Sequence, residues 1–517
     1  MKPVSDIIAA IQSPTTEDSK LITRAYDFGK KAHEGHTRNS GEPYFIHPIE
    51  VAISLAKLGM DSATITAGLL HDSIEDGLTT EEEVSKEFGE EVFFLIDGVT
   101  KLGKLKYRGM ERHAESLRRL LVATSEDVRV LIIKLMDRLH NMQTLEFVRP
   151  DKRERIAKET LEIYAPLAER LGMGFLKRDL EDLAFPYVAP EDYKKAKDIL
   201  AEQRKEIEGL IDTVAKKVKK ELGGAGITNF RTEIRVKGLY SLWKKLERKN
   251  GDLSKIYDIL ALRVIISTTD ECYRVLGIIH SLWRPLPGRI KDYIAFPKPN
   301  GYKSIHTTVL IGNGISVEVQ IRTEEMNQHA EFGIASHLGY KQGASTRKSG
   351  DTGSMTWLAA LAPRLMRFKV VQKGESMTEH ARIKALKDAP KWIRDIANAG
   401  ETLPDSAEFV ESLKDDFFSH RIFAFTPTGD VVDLPLGATP IDFAYEIHSD
   451  IGNHMSGAKV GGKLVSLDTA LKNGDVVEIV TKKSAKPTQK WLDIAKTANA
   501  KRHIRNQVGT KNPGTRL

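Results

Sequence analysis

The spacing of apolar residues changes once along this chain, and that change restricts the folds open to it. From residue 20 to about 195 apolar side chains recur every three or four positions, as in Val128, Leu131, Ile132, Leu135 and Leu139, the period of helices that bury one face. The pattern continues from Pro190 to Leu222 through Leu200, Ile207, Leu210, Ile211, Val214 and Val218, which predicts one long connecting helix. From about Arg231 short β-rich runs, such as Ile256 to Ile266 and Ile315 to Ile321, alternate with helical ones. The expectation is an all-α block followed by an α+β block. The stretch QGASTRKSGDTGS (342–354) reads as a flexible linker, and helical segments follow it to about Lys414. Between His420 and Thr481 short strands are punctuated by Pro427-Thr428-Gly429-Asp430, Gly461-Gly462 and Asn473-Gly474-Asp475, the pattern of a small β-grasp-like module.

Only one cysteine, Cys272, occurs in 517 residues, so no intrachain disulfide can form. No secretion signal is recognisable at the start, and no apolar run approaches the ~18 residues needed to cross a bilayer. These features predict a cytoplasmic protein with no membrane association. The net charge of +7 is local: Lys482 to Leu517 holds ten basic residues and one acid, Asp493, a local +9 that leaves the remainder near −2. This basic tail is read as solvated, with a weak RNA contact as the sharper alternative.

His47, the pair His71-Asp72, and Asp137 fall on separate predicted helices. Imidazole and carboxylate together suit a divalent transition metal. On the predicted helix through His71, Glu75 lies at i+4 to His71 and Asp76 at i+4 to Asp72, so both acids point toward the edge of the candidate ligands. On a later helix Asp137, Asn141 and Thr144 fall at i, i+4 and i+7, one candidate ligand and two hydrogen-bonding groups in line. Each residue alone reads as an ordinary polar side chain on a helix surface; the set is far more specific.

The segments RNSGEPYFIHP (38–48), LLHDSIED (69–76) and KLMDRLHNMQTL (134–145) closely resemble the hydrolase domain of the RelA/SpoT homologues, bacterial enzymes that make and destroy the alarmone (p)ppGpp. The resemblance implies that His47, His71, Asp72 and Asp137 hold Mn²⁺ and that Glu75 and Asp76 orient or deprotonate the attacking water. It further implies that Arg38 packs on guanine, that Asn141 and Thr144 contact the nucleotide, and that pyrophosphate is removed from the ribose 3′ position of ppGpp or pppGpp.

A second set lies in the α+β block. Arg235 and Lys237 close a strand-like run, and Lys237, Ser241 and Lys245 recur at i, i+4 and i+8 on one helix face, with Leu242 and Leu246 opposite. Converging cations suit a polyphosphate, although basic surface helices are common. Asp258 sits within the apolar run IYDILALRVII, and Glu318 alternates with Val317 and Val319 in SVEVQIR. Two strand-borne carboxylates can share Mg²⁺ if their strands are neighbours. In DYIAFPKPNGYKSIHTTV (292–309) a Pro-Asn-Gly turn introduces a strand with Tyr302, Ser304, His306 and Thr308 on one side; Tyr302 beside Lys298 and His306 makes a nucleotide pocket or an ordinary amphipathic hairpin.

RVKGLYSLWKK, DYIAFPKPNGYKSIHTTV, EVQIRT and AEFGIASHLGYK resemble the (p)ppGpp synthetase domain of the same family. A nucleotidyltransferase-like fold is then expected, moving the β,γ-pyrophosphate of ATP to the 3′-hydroxyl of GDP or GTP. By this resemblance Arg235, Lys237 and Lys245 bind ATP phosphates with Ser241 nearby. Asp258 and Glu318 serve Mg²⁺, and Glu318 is a candidate to activate the hydroxyl. Tyr302 stacks on guanine, and Lys298 and His306 contact the acceptor's phosphates. Arg289-Ile290-Lys291-Asp292 has the basic R-x-K-D form that the family associates with two-way enzymes, while Phe296 and Leu338 depart from the usual pattern.

Gly457 to Leu464 mimics a phosphate-binding loop, but Leu464 lacks the required hydroxyl and the segment falls between two short strands. Residues 421–452 and 473–481 instead resemble a TGS domain, in which the position of His448 contacts deacylated tRNA. Longer family members continue past the TGS domain, and the chain is read as lacking those regulatory modules and their ribosome-dependent control. The expected organisation is multidomain: an HD-type all-α hydrolase domain (1–195), an α+β synthetase domain (196–341), a flexible linker and helical connector (342–417), a TGS β-grasp domain (418–482) and a basic tail (483–517). The main reading is a bifunctional enzyme under reciprocal control through the helices near 150–222. The alternatives are a hydrolase with a weak synthetase, or a tRNA- or ribosome-sensing protein with vestigial catalytic domains.

Overall fold

The computed structural model describes residues 1–103, 127–336 apart from 254, 255, 257, 299, 313 and 314, and 421–508. The expected linker and connector at 342–417 and the departure at Leu338 lie outside the described residues. The described chain divides into two compact units, one ending at residue 336 and the other starting at residue 421. Among the described residues no helix is long and apolar enough to cross a membrane.

The first unit opens with helices whose starts are written in the sequence. Thr15 and Asp18 exchange hydrogen bonds in a capping box before Thr16–Ala32, and Asp61 accepts from the Thr64 amide at 2.7 Å to start Ser62–Leu70. Asp127 accepts from the Arg129 amide at 2.9 Å to start Val128–Gln143. The buried Arg129 guanidinium then reaches Asp127, Asp61 and Glu91 at 2.8, 3.1 and 2.8 Å, tying the starts of two helices to the helix Glu81–Gly103. Val128, Leu131, Ile132, Leu135 and Leu139 are all buried, as their spacing predicts. Gly68 lets this half close up: a Cβ there would stand 2.4 Å from Leu55 of the helix Ile46–Lys57. Two further helices, Ala165–Arg170 and Gly174–Val188, lead into Pro190–Gly224, a single helix of 35 residues that contains the expected 195/196 boundary.

A mixed sheet follows, built from β1 (Phe230–Val236), β2 (Leu260–Ile266), β3 (Arg284–Pro285), β4 (Lys291–Asp292), β5 (Ile305–Gly312) and β6 (Ile315–Thr323). Its order is β1-β2-β6-β5-β3, with β4 also on β5, and β2 and β6 are parallel. Leu262, Val264, Val317, Val319 and Ile321 pack one face against Ile211, Val214, Val218 and Leu222 of the long helix. Period two then gives the opposite face to Arg263, Glu318, Gln320 and His306. Two expectations need correction. Asp258 precedes β2 instead of lying within it, because Ile256 and Ile259 pack with Leu242 and Leu246 in a separate cluster. Tyr302 and Ser304 precede β5, since Gly301 turns at φ +78° and the Tyr302 amide bonds back to the Asn300 side chain.

In the second unit β7 (Arg421–Phe425) pairs with β8 (Val431–Pro435), and β9 (Met455–Val460) lies between β10 (Lys463–Val465) and β11 (Val477–Thr481). A parallel bridge from Phe425 to Val476 joins the two ladders, and the helix Pro440–Ile447 covers them. Gly461 and Gly462, both at positive φ, turn the β9–β10 hairpin, in agreement with the rejection of a phosphate loop. The basic tail is not a solvated strand of chain as far as residue 508. It forms the helices Trp491–Ile494 and Ala498–Val508, and Trp491, Ala500 and Ile504, with Ala495 between the helices, pack on Ile441, Ala444 and Tyr445. The charge count hid this apolar stripe.

Candidate active sites

The antiparallel helices Ile46–Lys57 and Ser62–Leu70 bring His47, at the start of one, beside His71, at the end of the other, with ring centroids 5.3 Å apart. Asp137, midway along Val128–Gln143, completes a buried cluster in which the ligand atoms of His47, His71 and Asp137 lie within 4.8 Å of one another. His47 Nε2 is 3.2 Å from Asp137 Oδ1, and His71 Nε2 is 3.1 Å from Asp72 Oδ1. Asp72 also accepts from the Tyr44 hydroxyl at 3.1 Å. All four predicted ligands therefore meet.

One detail tests whether the set suits a cation. His71 Nδ1 donates to the Gly68 carbonyl at 2.9 Å, while its buried Nε2 has no hydrogen-bond partner and faces carboxylates. Against the downward push of burial, Asp72 and Asp137 raise His71 to about 9, so the site attracts positive charge strongly. Deprotonated imidazole and carboxylate around a buried orphan nitrogen fit a divalent metal ion. Asp137 is held well below the usual carboxylate range: burial opposes ionisation, but Lys134 at 2.7 Å and the two histidines overcome it.

The helix expected through His71 stops there. Residues 71–77 form successive turns, closed by Ser73 Oγ on the Leu70 carbonyl and by Gly77 at φ +71°. The Asp76 amide still bonds the Asp72 carbonyl at 2.9 Å, so the i+4 relation survives locally. Glu75 and Asp76 are exposed at the rim, and the desolvation of their carboxyls, with the charge of Asp72, raises both above their ordinary values. Arg38 joins the other two expected nucleotide contacts: it donates to Asn141 Oδ1 at 3.1 Å and to Thr144 Oγ1 at 3.4 Å. Three partners escaped the sequence reading: Tyr44, Lys134 and His140. Lys134 and His140 stand three residues either side of Asp137, the spacing that could have found them.

Just ahead of β2, Lys237 and Lys245 both donate to Asp258 Oδ2, at 2.8 and 2.6 Å. Burial works against ionisation of Asp258, yet the two ammonium groups hold it well below its ordinary value. Its Oδ1 is buried without a partner. The expected i, i+4, i+8 line of cations is only partly kept: Lys237 precedes the helix Leu239–Arg248, and Ser241 donates instead to Glu181 at 3.2 Å. β2 and β6 are neighbours with Ala261 opposite Glu318, but Asp258 lies three residues before Ala261, ahead of β2, so the expected pair of strand-borne carboxylates is only half kept. Despite burial, bonds from His306 and Gln320 bring Glu318 down to about 2. A carboxylate held that low binds cations readily and takes a proton poorly.

Tyr302 OH lies 2.8 Å from His306 Nε2, and Lys298 Nζ sits over the Tyr293 and Tyr302 rings at 4.9 and 5.1 Å. Lys298 is exposed as a residue, but the crowding of its ammonium lowers it from the ordinary value. Arg235, half-buried on β1, faces the same side. In the R-x-K-D segment Lys291 pairs with His306, and Asp292 accepts from the Ile294 and Ala295 amides and from Tyr273, so it shapes the loop; Arg289 is exposed beside it. In the second unit His448 Nδ1 accepts from the Asp450 amide at 3.1 Å and caps the helix Ser449–Asn453.

An HD-domain family model matches residues 25–174, a model described as a region found in RelA / SpoT proteins matches 234–345, and a TGS-domain model matches 422–481. A guanosine-3′,5′-bis(diphosphate) 3′-pyrophosphohydrolase of Aquifex aeolicus is 47% identical over 490 residues, covering 95% of this chain and 64% of that protein. A GTP pyrophosphokinase of Myxococcus xanthus is 43% identical, covering 95% and 60%. The bifunctional (p)ppGpp synthase/hydrolase SpoT of Escherichia coli is 42% identical, covering 96% and 66%. The chain thus spans somewhat under two thirds of the length of these relatives.

Proposed function

The chain belongs to the RelA/SpoT homologue family, and from that premise we propose that it both makes and hydrolyses (p)ppGpp, at two separate sites. The observation that carries the proposal is the presence in one chain of two constellations: the buried His47–His71–Asp137 cluster with Asp72, and Asp258 just ahead of β2 with Glu318 on the neighbouring β6.

In the hydrolase half His47, His71, Asp72 and Asp137 would hold Mn²⁺. Such an ion, when bound, polarises a phosphoryl oxygen and acidifies water. Glu75 or Asp76, raised at the rim, accepts the water's proton as its oxygen bonds to the 3′-linked phosphorus, pyrophosphate departs and the ribose 3′-oxygen regains a proton. Arg38, Asn141 and Thr144 seat the nucleotide.

In the synthetase half the acceptor's 3′-oxygen, giving up its proton to solvent, bonds to the β-phosphorus of ATP and the bond to AMP breaks. Arg235, Lys237 and Lys245 neutralise ATP's phosphates, with Ser241 at the edge of the grip. Asp258 and Glu318 would hold Mg²⁺; the low value of Glu318 favours that role over proton uptake. Tyr302 stacks on guanine, Lys298 and His306 meet the phosphates of GDP or GTP, and Arg289, Lys291 and Asp292 set the loop beside them. Two opposed reactions in one chain call for reciprocal control through the helices near 150–222, so substrate at one site disfavours the other. The second unit offers deacylated tRNA or the ribosome a surface around His448 and the basic helices, and the setting is cytoplasmic.

Labelled ATP with GDP and Mg²⁺, then labelled ppGpp with Mn²⁺, given to one preparation, test this reading. Both products are expected. Hydrolysis alone leaves a hydrolase with a weak synthetase, and neither product leaves a binding protein.

A further inference from the structure

We propose that His140 is a positioning residue of the hydrolase site: it accepts a hydrogen bond from His47 Nδ1 and so fixes the tautomer whose Nε2 lone pair faces Asp72 and Asp137, while Arg38 holds it in that accepting role. The inference rests on the hydrolase reading and deepens it.

The Nδ1 atoms of His47 and His140 are 2.7 Å apart, with the rings tilted by 39°. Of two imidazole nitrogens at that distance one donates and the other accepts, and the distance alone does not say which. Arg38 decides it. Its NH1 group lies 3.4 Å from the same Nδ1 of His140. A guanidinium has donors only, so the nitrogen it approaches must offer a lone pair. Protonating the His140 ring on both nitrogens would set a second positive charge against the guanidinium. His140 Nδ1 is therefore the acceptor, its single lone pair shared between the short contact from His47 and the longer one from Arg38, and the proton between the two rings belongs to His47.

The consequence falls on the other nitrogen of His47. With Nδ1 protonated, Nε2 carries a lone pair 3.2 Å from Asp137 Oδ1 and 3.7 Å from Asp72 Oδ2. A lone pair facing two carboxylates is unfavourable unless a cation lies between them. His71 is set the same way by a different partner, its Nδ1 donating to the Gly68 carbonyl. Metal-binding histidines are commonly oriented through a carbonyl or carboxylate; here a second imidazole does that work for His47. Arg38 also reaches Asp137 by a parallel route, since it donates to Asn141 Oδ1 and the Asn141 amide donates to Asp137 Oδ1 at 2.5 Å. One guanidinium thus orients two members of the cluster without touching either.

The test is Mn²⁺ binding by the metal-free full chain, read from the free-ion signal in electron paramagnetic resonance. His140→Phe keeps the ring and removes the acceptor; it should raise the Mn²⁺ Kd by about tenfold or more, the usual effect of losing an orienting partner. His140→Asn keeps a carbonyl acceptor near the same point and should stay within about threefold of wild type. Arg38→Met, which removes no proposed ligand, should also weaken binding. His140→Phe binding as wild type does, or His140→Asn losing as much as His140→Phe, overturns the inference; if His140→Phe fails to fold, His140→Leu, which also lacks an acceptor, takes its place, and wild-type binding by it overturns the inference. A wild-type chain that binds no Mn²⁺ overturns the hydrolase reading and this inference together, whereas normal wild-type binding with an indifferent His140 sinks only the inference.

Discussion

The Asn300 side-chain amide donates to the main-chain carbonyl of Glu169, 3.0 Å away. Asn300 belongs to the loop that carries Lys298 and Tyr302, whereas Glu169 lies in the helix Ala165–Arg170 on the hydrolase side. The loop proposed to hold the acceptor is therefore seated on the segment matched by the HD-domain model. Asn300→Ala is expected to raise KM for GDP or GTP by about tenfold, with a smaller change in kcat, because a loosened loop misplaces its side chains. Mn²⁺-dependent hydrolysis should be unchanged. Steady-state kinetics on both reactions checks this, and an unaltered KM would contradict it.

The same seat depends on a glycine. Gly333 has φ +55°, and a Cβ there would lie 2.1 Å from the Leu171 carbonyl oxygen, beside which the Ile334 amide donates to that oxygen at 2.9 Å. Gly333→Ala should therefore destabilise the first unit by about 2–4 kcal/mol through strain and forced separation. Denaturant unfolding measures it; a variant within about 0.5 kcal/mol of wild type would show that the joint gives way easily.

How much of this was legible in the sequence depends on whether a pattern was local. Helix faces such as Val128 to Leu139 follow directly from spacing, and the His47, His71, Asp72 and Asp137 set was visible as residue types in motifs. What spacing could not give was the third dimension. His140 emerges as a partner of His47 only when two helices 93 residues apart in sequence are brought together. Asp258 was assigned to a strand because its neighbours are apolar, yet Ile256 and Ile259 serve a different cluster. In the tail, charge was counted and the i, i+4 pair Ala500 and Ile504 on one helix, with Trp491 and Ala495 before it, was passed over.

Asp442 provides a test of that correction. Fully buried, it accepts from Thr439 and, across 55 residues of sequence, from the Lys496 and Thr497 amides at 2.8 and 2.7 Å. Asp442→Ala leaves those amides unpaired and should cost the second unit about 3 kcal/mol or more. Limited proteolysis of the full chain should then cut rapidly between Lys482 and Arg505. Equal resistance in both proteins would mean that the apolar contacts alone hold the tail helices.

A pH dependence follows from His280, which bonds Thr307 at 2.9 Å and is held below its ordinary value by burial alone. Its unfolded value is higher than its folded one, so the unfolded state takes up a proton first. The stability that this group contributes is complete above about pH 6.5 and is lost as pH falls below it. His280→Gln removes the titration, so its melting temperature should fall less than that of wild type between pH 7.5 and pH 5.5. Parallel curves would assign the acid sensitivity to other groups.

The central claim is two separate active sites in one chain, and crossed single-site variants test it most directly. Asp72→Ala and Tyr302→Ala are each assayed for ppGpp synthesis and for Mn²⁺-dependent pyrophosphate release. The expected result is a double dissociation: Asp72→Ala loses hydrolysis by at least about 10²-fold and still synthesises, while Tyr302→Ala loses synthesis and still hydrolyses. Loss of both activities in either variant, or of neither in both, would contradict it.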